Sequence, residues 1–113
     1  MKRGEIWWTD IGEPSGSEPG YKRPAVIVSS DDFNATAIKT VIVAFTTTNP
    51  VRARDPANVW LTTRQSGLPE SSTVNLSQLT TLDKRALSGR VARLPDEVMS
   101  RIDDGLKLVL GLE

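Results

Sequence analysis

The strongest constraint on the fold is an apolar run near the middle of the chain. Residues 41–45 form the longest run of apolar side chains, inside the segment "KTVIVAFT" at residues 39–46. The run is far too short to cross a bilayer, which takes about 20 apolar residues. It is rich in β-branched residues and lacks polar alternation, which is typical of a strand buried on both faces. The run therefore predicts the central strand of a sheet.

Shorter strand-like segments surround this run and are separated by turns rich in glycine, proline and serine. Their residues alternate between apolar and polar, or are mostly β-branched and aromatic, as in strands. Further strands are expected at residues 4–11, 23–30, 57–63, 72–79 and 88–94, with helical turns after Ser30 and at "LDKRAL". These short strands predict a small, strongly bent sheet or barrel.

The C-terminal segment has the clearest helical pattern in the chain. Pro95 suits a first helical turn, and Asp96 with Glu97 suits the positive end of the helix dipole. Apolar residues at helical spacing follow and form one face, made by Val98, Ile102, Leu106 and Val109. Gly105 costs such a helix about 1 kcal/mol relative to alanine, so we expect packing on the sheet to hold it.

Composition limits both the number of domains and the available chemistry. The chain has 113 residues, which suits a single domain spanning residues 1–113. It contains neither cysteine nor histidine, which excludes a serine–histidine hydrolase, a histidine-pair ribonuclease and thiolate chemistry. The 14 basic residues balance 14 acidic ones, so a polyanion would bind only at a local patch. The N-terminus has no apolar signal-peptide region, and we expect a cytoplasmic protein.

Two basic residues stand where the second strand is expected to begin. The stretch "GSEPGYKRPAVIVSS", residues 16–30, passes from a polar loop to an apolar run, with Lys22 and Arg23 at the junction. Such residues can simply solvate the end of a strand. An arginine there can equally face a phosphate, because its planar fork of donors matches phosphate oxygens. The pair by itself leaves both interpretations open.

Several motifs, in order along the chain, resemble the MazF/PemK family of toxin endoribonucleases. "KRGEIWWTDIG" and "GSEPGYKRPAVIVSS" are similar to the family's N-terminal strand and to its "RP" motif. "TVIVAFTTT" resembles an apolar strand that ends in threonine, and "VNLSQLTTLDKRAL" resembles a segment with a glutamine before a "T-x-D-K" stretch. "LPDEVMSRIDDGLKLVLGL" resembles the family's C-terminal helix. The resemblance covers nearly the whole chain.

The resemblance implies a mainly β (α+β) fold, an SH3-like small β-barrel with a C-terminal helix and short appended helical turns. It implies a homodimer that cleaves single-stranded RNA at specific sequences without a metal or other cofactor. It also implies a cognate MazE-like antitoxin that neutralises the toxin. RNA supplies its own nucleophile, the 2′-hydroxyl beside the scissile phosphate, so a chain without histidine or cysteine can catalyse the cleavage.

The motifs make Arg23, Thr46 and Glu18 the candidates for catalysis. Arg23 matches the arginine of the "RP" motif and is expected to stabilise charge on the phosphate, with proton transfer as a second role. Thr46 matches the threonine at the strand end, although Thr47 and Thr48 leave the register open by one residue. Glu18, in "GSE", could accept the 2′ proton or pair with Arg23, but a loop glutamate is more often solvated.

The candidates for RNA binding are Lys22, Thr47, Ser72, Gln78, Arg52 and Arg54. Ser72 and Gln78 match family positions that line the RNA groove. Ser77 stands where the family often has an acidic residue before that glutamine. The two arginines lie in the loop after the threonine run and are expected to contact flanking phosphates.

The tryptophans Trp7, Trp8 and Trp60 raise the question of base stacking. Adjacent residues of a strand point to opposite faces, so either Trp7 or Trp8 is expected in the core. The other is then expected at the surface or at a dimer interface. Structural roles are the favoured interpretation of these side chains.

Two other functions fit a chain of this kind. One is a CcdB-like toxin on the same fold, which poisons a topoisomerase without catalysis through its C-terminal residues. The other is a catalytically dead barrel that merely dimerises or binds the antitoxin. The pairing of the "RP" motif with a threonine at a strand end favours the ribonuclease.

Overall fold

The computed structural model describes residues 1–11 and 21–113, which form a mainly β structure. Its strands are β1 (Glu5–Ile11), β2 (Tyr21–Ile27), β3 (Thr40–Thr47), β4 (Val59–Leu61), β5 (Ser72–Asp83) and β6 (Leu87–Arg93). Its helices are α1 (Asp31–Asn34), α2 (Thr63–Ser66) and α3 (Asp96–Leu110), with 3₁₀ turns at Pro50–Arg54 and Lys84–Ala86. In these residues the strands form one six-stranded antiparallel sheet, in the order β4-β5-β3-β2-β1-β6.

β3 lies in the interior of the sheet, between β5 and β2, as its apolar sequence predicts. Val41, Val43 and Ala44 in this strand are completely buried. The sheet curls into a half-barrel, and α3 packs against one of its faces. The prediction of a small, mainly β barrel with a C-terminal helix and short helical turns is confirmed.

Two strands end earlier than predicted because the next residues begin a helix. β2 stops before Ser30, whose hydroxyl accepts a hydrogen bond from the backbone N–H of Phe33 and caps α1. β4 is much shorter than the predicted segment 57–63. Thr62 and Gln65 form a capping box that begins α2 at this point.

The pairing of β3 with β5 is interrupted by a large bulge, which we call the β5 bulge. Ala44 pairs with Leu79, but Thr46 pairs with Val74, so residues 75–78 stand opposite Phe45 alone. Beyond the bulge, β5 follows β3 to its first residue. β5 is therefore longer than the predicted strand at residues 72–79.

Each face of the sheet carries its own apolar core, because alternate residues of a strand point to opposite faces. The inner core, on one face, consists of Ala25, Ile27, Val41, Val43, Phe45 and Leu87. The helix-side core, on the other face, includes Ile6, Val26, Ala44, Leu61, Val74, Leu76, Leu94, Val98 and Ile102.

Gly105 sets the distance between α3 and the rest of the molecule. A Cβ at this position would overlap the carbonyl oxygen of Ala57 and come within 2.5 Å of Leu76 Cδ1. The close approach requires glycine, although glycine is a poor helix former. The helix therefore packs closely on the rest of the molecule at Gly105, as the prediction of support by tertiary packing requires.

The packed face of α3 is shorter than predicted. Val98 and Ile102 are completely buried and Leu106 packs against the helix-side core, but Val109 is 40% exposed. Packing thus ends before the last turn of the helix. No helix in the described part of the chain has the length and apolar character needed to span a membrane.

The buried carboxylate of Glu5 ties β1 to β6. It accepts hydrogen bonds from the backbone N–H of Lys2, from Trp7 Nε1 and from Arg90 Nε. Burial alone would raise the pKa of Glu5, but these hydrogen bonds and the charge of Arg90 hold it below its ordinary value of 4.5. Glu5 is therefore a charged, fully partnered group of the folded state at neutral pH.

Candidate active site

The start of β2 and the start of β5 both lie beside the end of β3, because these neighbouring strands are antiparallel. They form a cleft of about 320 Å³ that is lined by Arg23, Pro24, Thr46, Thr47, Thr48 and Ser72. Apart from the proline, every side chain in this set carries a hydrogen-bond donor. The cleft is therefore suited to a ligand with several acceptor oxygens.

Arg23 is the charged residue among the described residues that line the cleft, and its guanidinium is held in place. Nη2 donates a hydrogen bond to the carbonyl oxygen of Thr46 at 2.9 Å. The guanidinium carbon lies 4.9 Å from the centroid of the Phe45 ring, a cation–π contact. The backbone is fixed as well, since Thr9 Oγ1 donates to the carbonyl oxygen of Arg23 at 2.8 Å.

The buried hydroxyls of the cleft are anchored to the backbone. Thr46 is 3% exposed and its Oγ1 donates to the carbonyl oxygen of Pro24 at 3.2 Å. Ser72 is also buried, and its Oγ donates to the carbonyl oxygen of Glu70 at 3.1 Å. Each hydroxyl oxygen keeps acceptor capacity and its proton can rotate toward another acceptor. Thr46 thus contacts both residues of the "RP" motif. Its carbonyl oxygen accepts from the Arg23 side chain, and its hydroxyl donates to the Pro24 carbonyl oxygen.

The structure distinguishes the two threonines between which the sequence pattern could not choose. Both line the cleft, but they occupy successive positions of β3 and pair with Val74 and Thr73 respectively. Thr47 Oγ1 accepts a hydrogen bond from the backbone N–H of Asn49 at 3.2 Å. The hydrogen bond from Arg23 and the one to Pro24 both involve Thr46.

The cleft brings together part of the predicted site, namely Arg23, Thr46, Thr47 and Ser72. Lys22 is exposed beside the cleft and is not among its lining residues. Glu18 lies outside the described residues.

The other predicted RNA-binding residues do not line the cleft. Gln78 is exposed in the β5 bulge. Arg52 and Arg54 are exposed on the 3₁₀ turn that follows β3, and Arg52 pairs with Asp55 at 3.0 Å. Since these residues do not line the cleft, any contact they make would be with flanking parts of a long ligand.

Pro24 and Thr48 line the cleft but were not among the predicted site residues. Thr48 continues the threonine run directly after Thr47, and that run was a usable sequence signal. Pro24 lies in the predicted strand at residues 23–30, and its place in the cleft wall depends on how β2 and β3 pair, which the sequence pattern does not show.

The arrangement can stabilise negative charge on a phosphate. A fixed guanidinium offers paired N–H donors, and the surrounding hydroxyls offer further hydrogen bonds to phosphate oxygens. Within residues 1–11 and 21–113, no three carboxylate side chains cluster closely enough to hold a metal ion.

Comparison with known proteins identifies the family of this chain. A family model described as a PemK-like, MazF-like toxin of type II toxin–antitoxin systems matches residues 2–110. Endoribonuclease MazF6 of Mycobacterium tuberculosis (strain H37Rv) is 42% identical over 112 residues, which cover 99% of this chain and 98% of that protein. Endoribonuclease EndoA of Bacillus subtilis (strain 168) is 32% identical over 112 residues, covering 99% and 96%.

Solved structures show the same fold. An endoribonuclease from a mycobacterial species, in complex with its cognate antitoxin, has a TM-score of 0.80 and 25% identity, covering 100% of this chain and 97% of that one. A MazE–MazF structure from Deinococcus radiodurans has a TM-score of 0.78 at 20% identity, covering 100% and 97%. The family model matches residues 2–110, and full-length relatives are 42% and 32% identical. The chain therefore belongs to the family of PemK-like, MazF-like toxins of type II toxin–antitoxin systems.

Proposed function

We propose that this protein is a sequence-specific, metal-independent endoribonuclease toxin that cleaves single-stranded RNA. Full-length relatives at 42% and 32% identity are both named endoribonucleases, which supports the proposed reaction. The single structural observation that carries the proposal is the cleft in which the guanidinium of Arg23 is bonded to Thr46 and surrounded by hydroxyl groups. No observation favours the topoisomerase-poisoning alternative.

In the proposed reaction the 2′-hydroxyl of the substrate attacks the adjacent phosphorus. Negative charge grows on the phosphate oxygens as phosphorus becomes five-coordinate, and the 5′ oxygen of the next nucleotide leaves with a proton. The products are a 2′,3′-cyclic phosphate and a 5′-hydroxyl. Arg23 stabilises the developing charge, a contribution of about 3–4 kcal/mol if it acts as an oxyanion-hole donor does.

The hydroxyl groups of the cleft have a secondary role in this proposal. Thr46 holds Arg23 in position through its carbonyl oxygen, and its hydroxyl can turn toward a phosphate oxygen or orient the 2′-hydroxyl. Thr47 and Ser72 provide further donors for the phosphate and the ribose. Glu18 remains the candidate for accepting the 2′ proton.

The remaining predicted contacts extend the proposal to a longer substrate and to partners. Lys22, Gln78, Arg52 and Arg54 would contact RNA on either side of the cleft, since none of them lines it. We further propose a single toxin domain that acts in the cytoplasm as a homodimer and is neutralised by a cognate antitoxin. The antitoxin in the structure of the mycobacterial relative supports this partner.

The test is cleavage of a mixed-sequence single-stranded RNA by the purified protein in the presence of EDTA. We expect fragments that carry 5′-hydroxyl and 2′,3′-cyclic phosphate ends, identified by end-specific labelling and sequencing. A strict requirement for added magnesium would contradict the metal-independent mechanism. Absence of cleavage in any buffer by a folded, antitoxin-free protein would contradict the proposed function itself.

A further inference from the structure

A second cavity adjoins the cleft and shares part of its wall. This cavity measures about 110 Å³ and is lined by Trp8, Pro24, Thr48, Leu68, Pro69, Glu70 and Ser72. The cleft and the cavity have Pro24, Thr48 and Ser72 in common. A group that occupies the cavity would therefore lie directly beside a group that occupies the cleft.

We propose that the cavity is a subsite for one RNA base attached to the scissile phosphate, with Trp8 as its stacking surface and Glu70 as its hydrogen-bond acceptor. The proposal rests on the proposed function, because it takes the cleft as the phosphate site. It adds a base preference that the catalytic residues themselves cannot supply.

Trp8 is positioned for stacking, whereas its neighbour Trp7 is not. Trp7 packs against the inner core and donates from Nε1 to Glu5 at 3.2 Å. Trp8 pairs with Pro24 across β1 and β2 and remains 37% exposed. The structural role expected for the tryptophans thus applies to Trp7, while Trp8 presents an accessible aromatic surface beside the cleft.

Stacking on an aromatic side chain is a common way to hold a base of single-stranded RNA, because every base has a π-face. Apolar walls complete the subsite. Leu68 is buried beneath it, and the rings of Pro24 and Pro69 line its sides. These walls suit the flat apolar faces of a base and are less suited to a charged phosphate or a ribose.

Glu70 gives the subsite its polar edge. The backbone of Glu70 is tied to the cleft, because its carbonyl oxygen accepts the hydroxyl proton of Ser72. An ionised carboxylate is an acceptor only. It therefore complements the amino groups of cytosine, adenine and guanine, whereas uracil has no amino group and presents carbonyl oxygens on either side of its single N–H. The subsite should accordingly disfavour uracil.

The test uses the whole protein and a pool of single-stranded RNA with randomised sequence, with cleaved ends read by sequencing. Trp8→Ala should lower kcat/KM about 5- to 150-fold, the effect expected for loss of one stacked base, and Trp8→Phe should restore most of it. Glu70→Gln should relax discrimination against uracil at one position adjacent to the cut and leave preferences at other positions unchanged.

Trp60→Ala is the matched control, because Trp60 is 40% exposed but lines a different cavity, between β4 and α3. It should leave both the rate and the sequence preference unchanged. Circular dichroism and thermal unfolding establish that each variant is folded.

The outcomes separate this proposal from the proposed function. If the wild-type protein cleaves and Arg23→Ala does not, the cleft stands as the reaction site. Unchanged rates and unchanged base preference in folded Trp8→Ala and Glu70→Gln would then overturn the base subsite alone. An effect of these variants on antitoxin binding without any effect on cleavage would also overturn it, and would assign the cavity to the protein partner.

Discussion

The two ends of β3 carry cavities of similar size but different chemical character. The cleft at the C-terminal end measures about 320 Å³. A far-end cavity of about 340 Å³ is lined by Ala37, Ile38, Lys39, Asp83, Lys84 and Arg85. Both contain basic residues, so neither volume nor the presence of positive charge distinguishes the two sites.

The distinction lies in what surrounds the basic groups. At the far end, Lys84 Nζ donates to the carbonyl oxygens of Asn34 and Thr36, at 2.8 and 3.4 Å. Arg85 pairs with Asp83 at 3.1 Å, and the hydrogen bond from Arg85 holds the pKa of Asp83 below its ordinary value. Lys84 and Arg85 therefore bind groups of this chain itself.

At the cleft, Arg23 contacts a carbonyl oxygen and an aromatic ring, and no acidic side chain is among the described residues that line the cavity. The hydroxyl groups around Arg23 therefore favour the cleft as the proposed phosphate site, whereas Lys84 and Arg85 make structural contacts within the chain.

The largest expected effect separates the two arginines. Arg23→Ala should lower the rate of RNA cleavage about 10²- to 10³-fold, because a fixed donor to the developing charge is lost. Arg85→Ala, which removes an equally charged but exposed group, should leave the rate unchanged. Single-turnover cleavage of a defined single-stranded RNA measures both. Equal losses of cleavage in the two variants would contradict the different roles given to the cleft and the far end.

The ion pair between buried Glu5 and exposed Arg90, which line neither cavity, should affect stability without affecting chemistry. Glu5→Gln should lower the free energy of unfolding by about 2 kcal/mol at pH 7, because charge-assisted hydrogen bonds to a buried carboxylate are weakened. Urea unfolding measures the change, and cleavage per folded molecule should not alter. Glu113→Gln, at an exposed position, is the control.

The same variant should show a defined pH dependence. Because folding lowers the pKa of Glu5, its contribution is fully present above the ordinary value of 4.5 and is lost as the pH falls through the lower folded-state pKa. The difference between wild type and Glu5→Gln should therefore shrink in acid. A difference that stays constant from neutral pH to about pH 3 would contradict the structure.

Thr46 should affect both stability and chemistry, to a smaller extent. Thr46→Val removes the donor to the carbonyl oxygen of Pro24 and should cost about 1–2 kcal/mol, measured by urea unfolding. Cleavage should fall as well, since a hydroxyl of the cleft is lost. Thr46→Ser keeps the hydroxyl and should retain most of both properties. If valine and serine behave alike, the hydroxyl has no role.

The smallest expected effect lies at the far end. Lys84→Met keeps the aliphatic chain but removes the donors to Asn34 and Thr36, and should lower stability by about 0.5–1 kcal/mol. RNA cleavage should remain at the wild-type rate. A loss of cleavage larger than the loss of folded protein would mean that the far end also contacts RNA.

Much of the fold could be predicted from periodicity. The apolar run at residues 41–45 predicted a central strand, and the helical spacing after Pro95 predicted α3, because burial on two faces and on one face leave different patterns. The capping box of Thr62 and Gln65 was also present in the sequence, but the alternating residues before it suggested a longer strand.

The site was less predictable. The motifs suggested Arg23, Thr46, Thr47 and Ser72. These residues meet because antiparallel pairing brings the starts of β2 and β5 beside the end of β3. The contributions of Pro24 and Glu70 depend on pairing register and turn geometry, which residue patterns do not encode. The catalytic and RNA-binding roles of all these residues remain predictions.

The β5 bulge has a consequence for how such a chain can change over evolution. Residues 75–78 have no strand partner among the described residues, so the pairing of Thr46 with Val74 is not dictated by the pairing beyond Ala44. A change in length at the exposed residues Ser77 and Gln78 can be absorbed locally, whereas Leu76 is fixed by its burial in the helix-side core. The cleft and the far end can therefore diversify separately.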